Sequence, residues 1–388
     1  MYIDRQIESE VLKGASGFPV VTITGPRQSG KTTMIQHLFP EKKYISLENP
    51  DNYEIAKTDP RGLLNKHVDG VILDEVQRVP ELLSYIQGIV DEHNVPGMFI
   101  LSGSQQFNLM SGITQSLAGR TAVFKLFPFS MSELGYLNES VINSILYKGF
   151  YPRIWDSDLS PSKVYSDYIE TYIERDLRQI INIKDLDKFR TFVRLCAGRV
   201  GQLFIASHLA SEIGVSVHTI NSWLSILETS YIIFQLPPYH SNINKRLTKS
   251  RKLYFYDVGL AANLLRIQQT DHLDSHPLRG SLFENLIIAE IVKSRRNNGL
   301  MDNFFFYRDS NQNEVDLIID NPLTIDAVEI KSSETFNNSM IKGLKYIRRI
   351  LPEKTRKTYL CYAGQQEIHY QDHQLVNFRN ISELLSFD

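Results

Sequence analysis

The sequence predicts an α/β chain: a doubly wound parallel sheet first, then a helical middle, then a second α/β domain at the C-terminus. Three observations carry that prediction. Apolar strand-like runs alternate with amphipathic helical segments from Phe18 to Phe129, the pattern of βα units around a parallel sheet. Apolar residues then recur at helical spacing from Gly149 to Ile183 and from Leu203 to Ile232. From Pro277 the order is helix, three strands, helix, strand. The expected domains are residues 1–140, 141–265 and 266–388. With 388 residues, 42% of them hydrophobic, the chain is long enough for two or three real cores.

Composition excludes several classes. Lys plus Arg (42) nearly balances Asp plus Glu (44), for a net charge of -2, so the molecule carries no strong overall field toward nucleic acid. Such contact would rest on local patches: Lys245 to Lys252 (KRLTKSRK), Lys293 to Arg296 (KSRR) and Tyr346 to Lys357. Each also reads as an ordinary solvated face. Cys196 and Cys361 are the two cysteines, too few for a disulfide framework or a zinc site, which suits a reducing cytoplasm. The start, MYIDRQIESEVLK, is amphipathic and mixed in charge, unlike a leader peptide. No apolar run reaches membrane-spanning length, so a cytoplasmic location without a membrane partner is expected. No internal repeat is evident.

In chain order, the first informative stretch is FPVVTITGPRQSGKTTMIQHLF from Phe18. Its loop, Gly25-Pro26-Arg27-Gln28-Ser29-Gly30-Lys31-Thr32, fits GxxxxGK[ST] between a strand and a helix, and Thr33 follows it. The glycines let successive N–H groups point into one hollow, toward which the next helix turns its positive end. Lys31 supplies a charge for the β- and γ-phosphates of ATP, and Thr32 a hydroxyl for Mg²⁺. Lys42 to Glu48 reads as a second strand. Gly70-Val71-Ile72-Leu73-Asp74-Glu75 is an apolar strand ending in two carboxylates. There Asp74 would hold Mg²⁺ through its water shell, and Glu75 would polarise the attacking water.

A helix from Pro80 to about Glu92 precedes another buried strand, Gly97 to Gln105 (GMFILSGSQ). Its polar end would lie beside the phosphates, because parallel α/β sheets bind ligands at their carboxyl ends. Ser102, Ser104 or Gln105 would then sense the γ-phosphate; the other reading is a turn that caps the next helix. Arg120, after a further helix, is the candidate charge-stabilising arginine, acting within the chain or on a neighbour; the other reading is a surface arginine. This part of the chain resembles the AAA-class P-loop ATPases. It resembles more closely a bacterial and archaeal family that joins such a module to a C-terminal domain. The residues that carry the likeness are GPRQSGKTT, LDEVQRVPEL, LSGSQQ, LAGR, FPFSMSEL, YIERDL, GFYP and KLYFYDVGL. The resemblance implies ATP and Mg²⁺ as cofactors and ATP hydrolysis as the activity.

In the middle, YSDYIETYIERDLRQIINI reads as a lid-like helical bundle, with Arg175 either reaching the nucleotide or paired within its helix. LFIASHLASEIGVSVHTINSWLSILETSYII then holds a helix, a turn at Gly214, and a second helix capped by Ser216 with Ile220, Leu224 and Leu227 inward. This is a helix-turn-helix, read as a winged helix with strands near Ile233 and Leu253. In a DNA reader Ser216, His218, Thr219, Asn221 and Ser222 would face a groove. The competing role is packing or assembly.

At the C-terminus three polar marks stand out: Glu284 on the helix, Asp316 on the second strand and Glu329-Ile330-Lys331 on the third. Residues two apart on a strand share a face, so Glu329 and Lys331 point together, with Asp316 beside them if the strands pair in order. Two carboxylates and a lysine suit metal-assisted phosphodiester cleavage. The arrangement resembles the core of the PD-(D/E)xK restriction-type nucleases. That likeness implies Glu284 as the helical acid, Asp316 as the motif acid, and Glu329 with Lys331 as ExK, the three acids holding a metal and Lys331 standing beside the attacking water. Glu314, nearer the turn, is expected at the edge. The expected activity is therefore ATP hydrolysis acting on, or regulated by, DNA or RNA, with metal-dependent nuclease activity. The alternative is a nucleotide-driven switch or scaffold that binds a protein partner and carries an inactive nuclease-like domain. A homo-oligomer is an expected state in either case.

Overall fold

The computed structural model describes residues 2–67, 69–104, 116–135, 141–176, 185–240 and 250–380, with backbone alone at 174–176. The expectations for Gln105, the helix before Arg120, the Arg175 side chain and the basic residues 245–249 therefore lie outside the described residues. By contacts the chain divides into two units: Met1–Phe129 with Thr229–Tyr231 and Arg296–Leu300, and Ser130–Glu228 with Ile232–Arg295 and Met301–Asp388.

The first unit is built on five parallel strands: β1 (Val20–Thr24), β2 (Lys43–Ser46), β3 (Val71–Asp74), β4 (Phe99–Gly103) and β5 (Thr121–Lys125). They lie in the order β2-β3-β4-β1-β5. Every residue of β1, β3 and β4 is buried, as central parallel strands covered on both faces require. Alternate residues feed two different cores. Val20, Leu73, Phe99 and Leu101 pack with Leu82 and Ile86 of α5 (Leu82–His93). Val21, Ile23, Ile72 and Ile100 pack with Val11 of α1 (Glu8–Gly17) and Met34 and Ile35 of α2 (Lys31–Leu38). Two further helices, α3 (Pro50–Thr58) and α4 (Pro60–Asn65), follow β2. Each starts at a proline behind a side-chain cap, Asn49 and Asp59 respectively.

The second unit begins with α6 (Ile142–Lys148), α7 (Pro152–Trp155) and α8 (Pro161–Tyr168), which runs into a π-helical stretch, Ile169–Asp176. Then come α9 (Leu186–Ala197), α10 (Ala206–Ile213) and α11 (Val217–Thr229). Gly214 ends α10 in the left-handed region, and the Ser216 hydroxyl accepts from the Thr219 amide at 3.0 Å to start α11. Ile220, Leu224 and Leu227 are buried, with Trp223 against Phe189 and Phe192. Strands β6 (Ile233–Leu236) and β7 (Lys252–Phe255) pair antiparallel.

The GFYP and KLYFYDVGL pieces meet each other. Asp257 caps α12 (Val258–Leu264) through the Leu260 amide at 2.7 Å, and it also accepts from the Phe150 amide (2.7 Å) and the Tyr165 hydroxyl (2.6 Å). Gly149 has φ 60°, and a Cβ there would lie 2.2 Å from the Tyr165 oxygen and 2.8 Å from Gly259 Cα. The chain needs glycine at this point to let the two backbones touch.

Helix α13 (Arg279–Asn297) leads to β8 (Phe304–Arg308), β9 (Glu314–Asp320) and β10 (Ile325–Lys331), which pair in sequence order, antiparallel. After α14 (Lys342–Ile350), β11 (Thr355–Tyr362) adds parallel to β10. Two further strands, β12 (Ile368–Tyr370) and β13 (His373–Asn377), extend the six-stranded sheet to the order β12-β13-β11-β10-β9-β8. Among the described residues no helix is long and apolar enough to cross a membrane.

Candidate functional site

In the first unit the loop after β1 and the carboxyl end of β3 meet. Gly25 (φ 146°) passes so near Leu126 that a Cβ would fall 2.1 Å from its carbonyl oxygen, and Gly30 (φ 91°) hands the loop to α2. Lys31 is buried and donates to the carbonyls of Gly25 (3.0 Å) and Pro26 (2.8 Å). Burial pulls its ammonium down to about 8, with Glu75 and then Asp74 pulling the other way, so both carboxylates stand within electrostatic reach of the lysine. The Ser29 hydroxyl is fully buried with no hydrogen-bond partner, an orphaned polar group in the loop that a phosphate oxygen would satisfy. Pro26 is buried, whereas Arg27 reaches outward to Glu48 at 3.2 Å and Gln28 and Thr33 are exposed.

The acids are held by their neighbours. Asp74 accepts from Thr32 (2.9 Å), from Tyr44 (2.6 Å) and from Ser102. Glu75 stands in the left-handed region (φ 56°) and accepts from Ser104 (3.1 Å) and from the Gln77 amide. Ser102 and Ser104 therefore orient the two carboxylates. The hydroxyl of Thr32 beside the Asp74 carboxylate is a hard-oxygen set that fits Mg²⁺.

Two residues at this site escaped the sequence reading. Tyr44 lies two positions before Ser46, the residue opposite Asp74, and strand alternation was its only signal. Arg5 is the second. Arg120 pairs with an acid at the other end of the sheet. It stands immediately before β5, its carbonyl accepting from Val20 at the amino edge of the sheet, and its guanidinium grips Asp91 at 2.5 and 2.9 Å. The phosphate loop leaves the opposite edge.

The second unit gathers the other candidates on one side of its sheet. Lys331 donates to Asp316 (3.0 Å) and to Glu329 (2.6 Å), and Asp316 also accepts from the Ile330 amide at 2.8 Å. Burial works to raise Asp316, but Lys331, Lys252 and that amide together hold it below the usual carboxylate range. Burial and the neighbouring Asp316 push Glu329 well above it. The two carboxyls are thus driven apart around one ammonium. Glu284 meets Lys252 (3.1 Å) and the Tyr254 hydroxyl (2.6 Å), and burial raises it while Lys252 opposes.

Glu314, the first residue of β9, is the most exposed of the four acids and is also bound by Lys252 at 2.5 Å. Lys252 and Tyr254 were missed as site residues. They alternate on β7, but Lys252 closed a basic run and was read with it. Two lysines interleave the acids, and among the described residues no group of three or more His, Cys, Asp or Glu side chains is placed to hold a metal. The expected three-carboxylate ligand set of Glu284, Asp316 and Glu329 is therefore not assembled. A cavity of about 510 Å³, whose lining includes Arg199, Gln202, His208 and Arg308, borders Lys252 and Glu314.

Comparison with known proteins agrees with the first unit. Residues 17–135 match the AAA domain family, 140–271 a domain of unknown function (DUF8612), and 279–381 another (DUF4143). The first unit is thus an AAA-class P-loop domain, the nucleotide-binding part of an ATPase. The whole chain belongs to the same family as the uncharacterized protein Rv2008c of Mycobacterium tuberculosis, 31% identical over 402 residues that cover 100% of this chain and 88% of the other. An uncharacterized protein of Haemophilus influenzae is 21% identical over 71% of this chain and 74% of its own. Among solved structures, the Walker-type ATPase paby2304 of Pyrococcus abyssi is similar at a TM-score of 0.45 and 16% identity, over 68% of this chain and 96% of that one.

Proposed function

We propose that the chain is a Mg²⁺-dependent ATPase whose turnover acts on, or is regulated by, nucleic acid. The carrying observation is the set Lys31, Thr32, Asp74 and Glu75, with Ser102 and Ser104 fixing the two acids. Lys31 neutralises the β- and γ-phosphates, Thr32 and Asp74 hold Mg²⁺, and Glu75 takes the proton from the attacking water. The metal supplies charge stabilisation on the phosphate oxygens.

Contact with nucleic acid is supported by the exposed Ser216, His218 and Asn221 on a helix-turn-helix followed by two antiparallel strands, read as a winged helix, with Thr219 and Ser222 half-buried beside them. A nuclease-like C-terminal domain is supported by Asp316, Glu329 and Lys331 meeting across paired strands. Lys331 neutralises Asp316 and Glu329, and Lys252 neutralises Glu284, without a metal. The same observation favours a second reading, a nucleotide-driven switch or scaffold for a protein partner. The test is ATP turnover by the full chain with and without DNA and RNA, alongside strand integrity in Mg²⁺ or Mn²⁺. Stimulated turnover with intact strands selects regulation without cleavage. Cleavage lost in Lys331→Met selects the nuclease. Turnover indifferent to both nucleic acids leaves the switch.

A further inference from the structure

Arg5 lies in the short segment before α1, far in sequence from the phosphate loop, yet it is only 6% exposed. Its Nη1 donates to the Ser29 carbonyl at 3.0 Å, its Nη2 to the Phe127 carbonyl at 2.7 Å, and its guanidinium lies 4.6 Å from the centre of the Phe129 ring. The segment is pinned on both sides of that arginine. Glu8 accepts from the Arg5 amide and from the Tyr2 hydroxyl, both at 2.7 Å, and the Tyr2 ring stacks on His37 of α2 at 3.9 Å.

Ser29 is the residue before Gly30 in the phosphate loop, and the peptide joining them is trans. In a planar trans peptide the carbonyl and the following N–H point in opposite directions. Fixing the Ser29 carbonyl on a buried guanidinium therefore turns the Gly30 N–H away from Arg5, toward the side on which the loop curls. A carbonyl bound to a charged donor is also held more firmly than one bound to water.

We propose that Arg5 is a positioning residue of the nucleotide site: by gripping Ser29 it presets the Ser29–Gly30 peptide so that the Gly30 N–H meets a phosphate oxygen of the bound nucleotide. The inference rests on the loop binding nucleotide, and it adds a residue outside the loop that sets how tightly it does so. Arg5 acts on the loop backbone through the Ser29 carbonyl, so its effect belongs to binding rather than to the chemical step.

The experiment uses the full chain and ADP or ATP as the probe. Dissociation constants, KM, kcat and thermal unfolding are measured for wild type, Arg5→Met, Arg5→Lys and Phe129→Leu. Arg5→Met should raise Kd and KM by about 10- to 100-fold, with kcat at saturating ATP within about threefold of wild type. Arg5→Lys keeps one donor and should recover part of the affinity. Phe129→Leu loses the ring but not the two hydrogen bonds, so it should unfold at a lower temperature and bind nucleotide as wild type does. A folded Arg5→Met that binds as wild type overturns the proposal, as does a loss confined to kcat. Should Arg5→Met not fold, Arg5→Lys with wild-type affinity and melting does the same. A wild type that binds no nucleotide overturns instead the reading beneath it.

Discussion

Replacing Glu75 with glutamine separates ATP binding from hydrolysis, because the structure lets the amide keep the contacts that hold the carboxylate. Both donors to Glu75, the Ser104 hydroxyl and the Gln77 amide, converge on a single oxygen, Oε2. A glutamine can place its carbonyl oxygen there and retain them, while its NH₂ takes the place of the other oxygen. The left-handed backbone at this position (φ 56°) is equally accessible to both residues. What disappears is the ability to accept a proton from water. Loss of a positioned general base costs about 10²- to 10⁴-fold in rate, roughly 3 to 5.5 kcal/mol of transition-state stabilisation. The phosphate contacts of Lys31 and the Thr32–Asp74 pair are untouched, so the dissociation constant for ATP should stay within about threefold. Single-turnover hydrolysis of radiolabelled ATP gives the rate, and equilibrium binding of a fluorescent nucleotide the affinity. A Glu75→Gln protein that hydrolyses ATP at the wild-type rate would refute the assignment of the base.

Lys31 gives a pH dependence. Its folded value, about 8, lies below the ordinary 10.5, so between those values the unfolded chain holds the extra proton and stability of the nucleotide-free protein rises with pH. ATP needs the charged lysine, so its affinity should fall above about pH 8 and binding should take up a proton there; calorimetry near pH 9 in two buffers that finds no uptake contradicts this. Arg120→Ala should leave the turnover of dilute, monomeric protein unchanged, because its partner is Asp91. If activity rises with protein concentration and the variant abolishes that rise, the arginine serves a neighbouring chain, whereas a loss in the monomer would contradict the placement. Gly149→Ala should destabilise the fold by roughly 2–4 kcal/mol in urea unfolding, since φ 60° and the contacts with Tyr165 and Gly259 leave no room for a methyl group. A change below about 0.5 kcal/mol would mean that the two segments separate easily.

The phosphate loop and the Asp74-Glu75 pair were legible because each is contiguous: the chemistry and the turn that presents it occupy the same few residues. Asp316 with Glu329 and Lys331 was legible one step further, from alternation on strands that pair in order. Arg120 was read either as a charge-stabilising arginine, in its own chain or a neighbour, or as a surface arginine. In a parallel sheet the residue before a strand lies at the edge opposite the phosphates, and strand polarity bears on that choice. Strands β12 and β13 were not legible. The first has three residues, both lie in the polar stretch QQEIHYQDHQLVN, and β13 gains its place by pairing with the distant β11. Arg5 and Tyr44 act through contacts across long sequence separations, which no local pattern encodes.

Lys252 changes what the C-terminal site is. It belongs to β7, which pairs with β6 in the middle of the chain, and that stretch matches a different family from the one matched by residues 279–381. Yet Glu284, the acid contributed by α13, takes both its ammonium and its hydroxyl partner from β7. Lys252 is 3% exposed and Glu284 16%, so the pair is screened little by solvent. Removing one partner of a buried pair costs roughly 3–5 kcal/mol, mostly as the penalty of a charge left without compensation. A fragment beginning near Pro277 would lose both of these partners of Glu284 and a cation from Glu314 as well. Lys252 also lowers the charge of the acid cluster, so any cation that bound there would meet a weaker field than the sequence of carboxylates implies. The chemistry of the C-terminal domain is therefore set partly by the segment before it, and only the full chain presents the site as it is built.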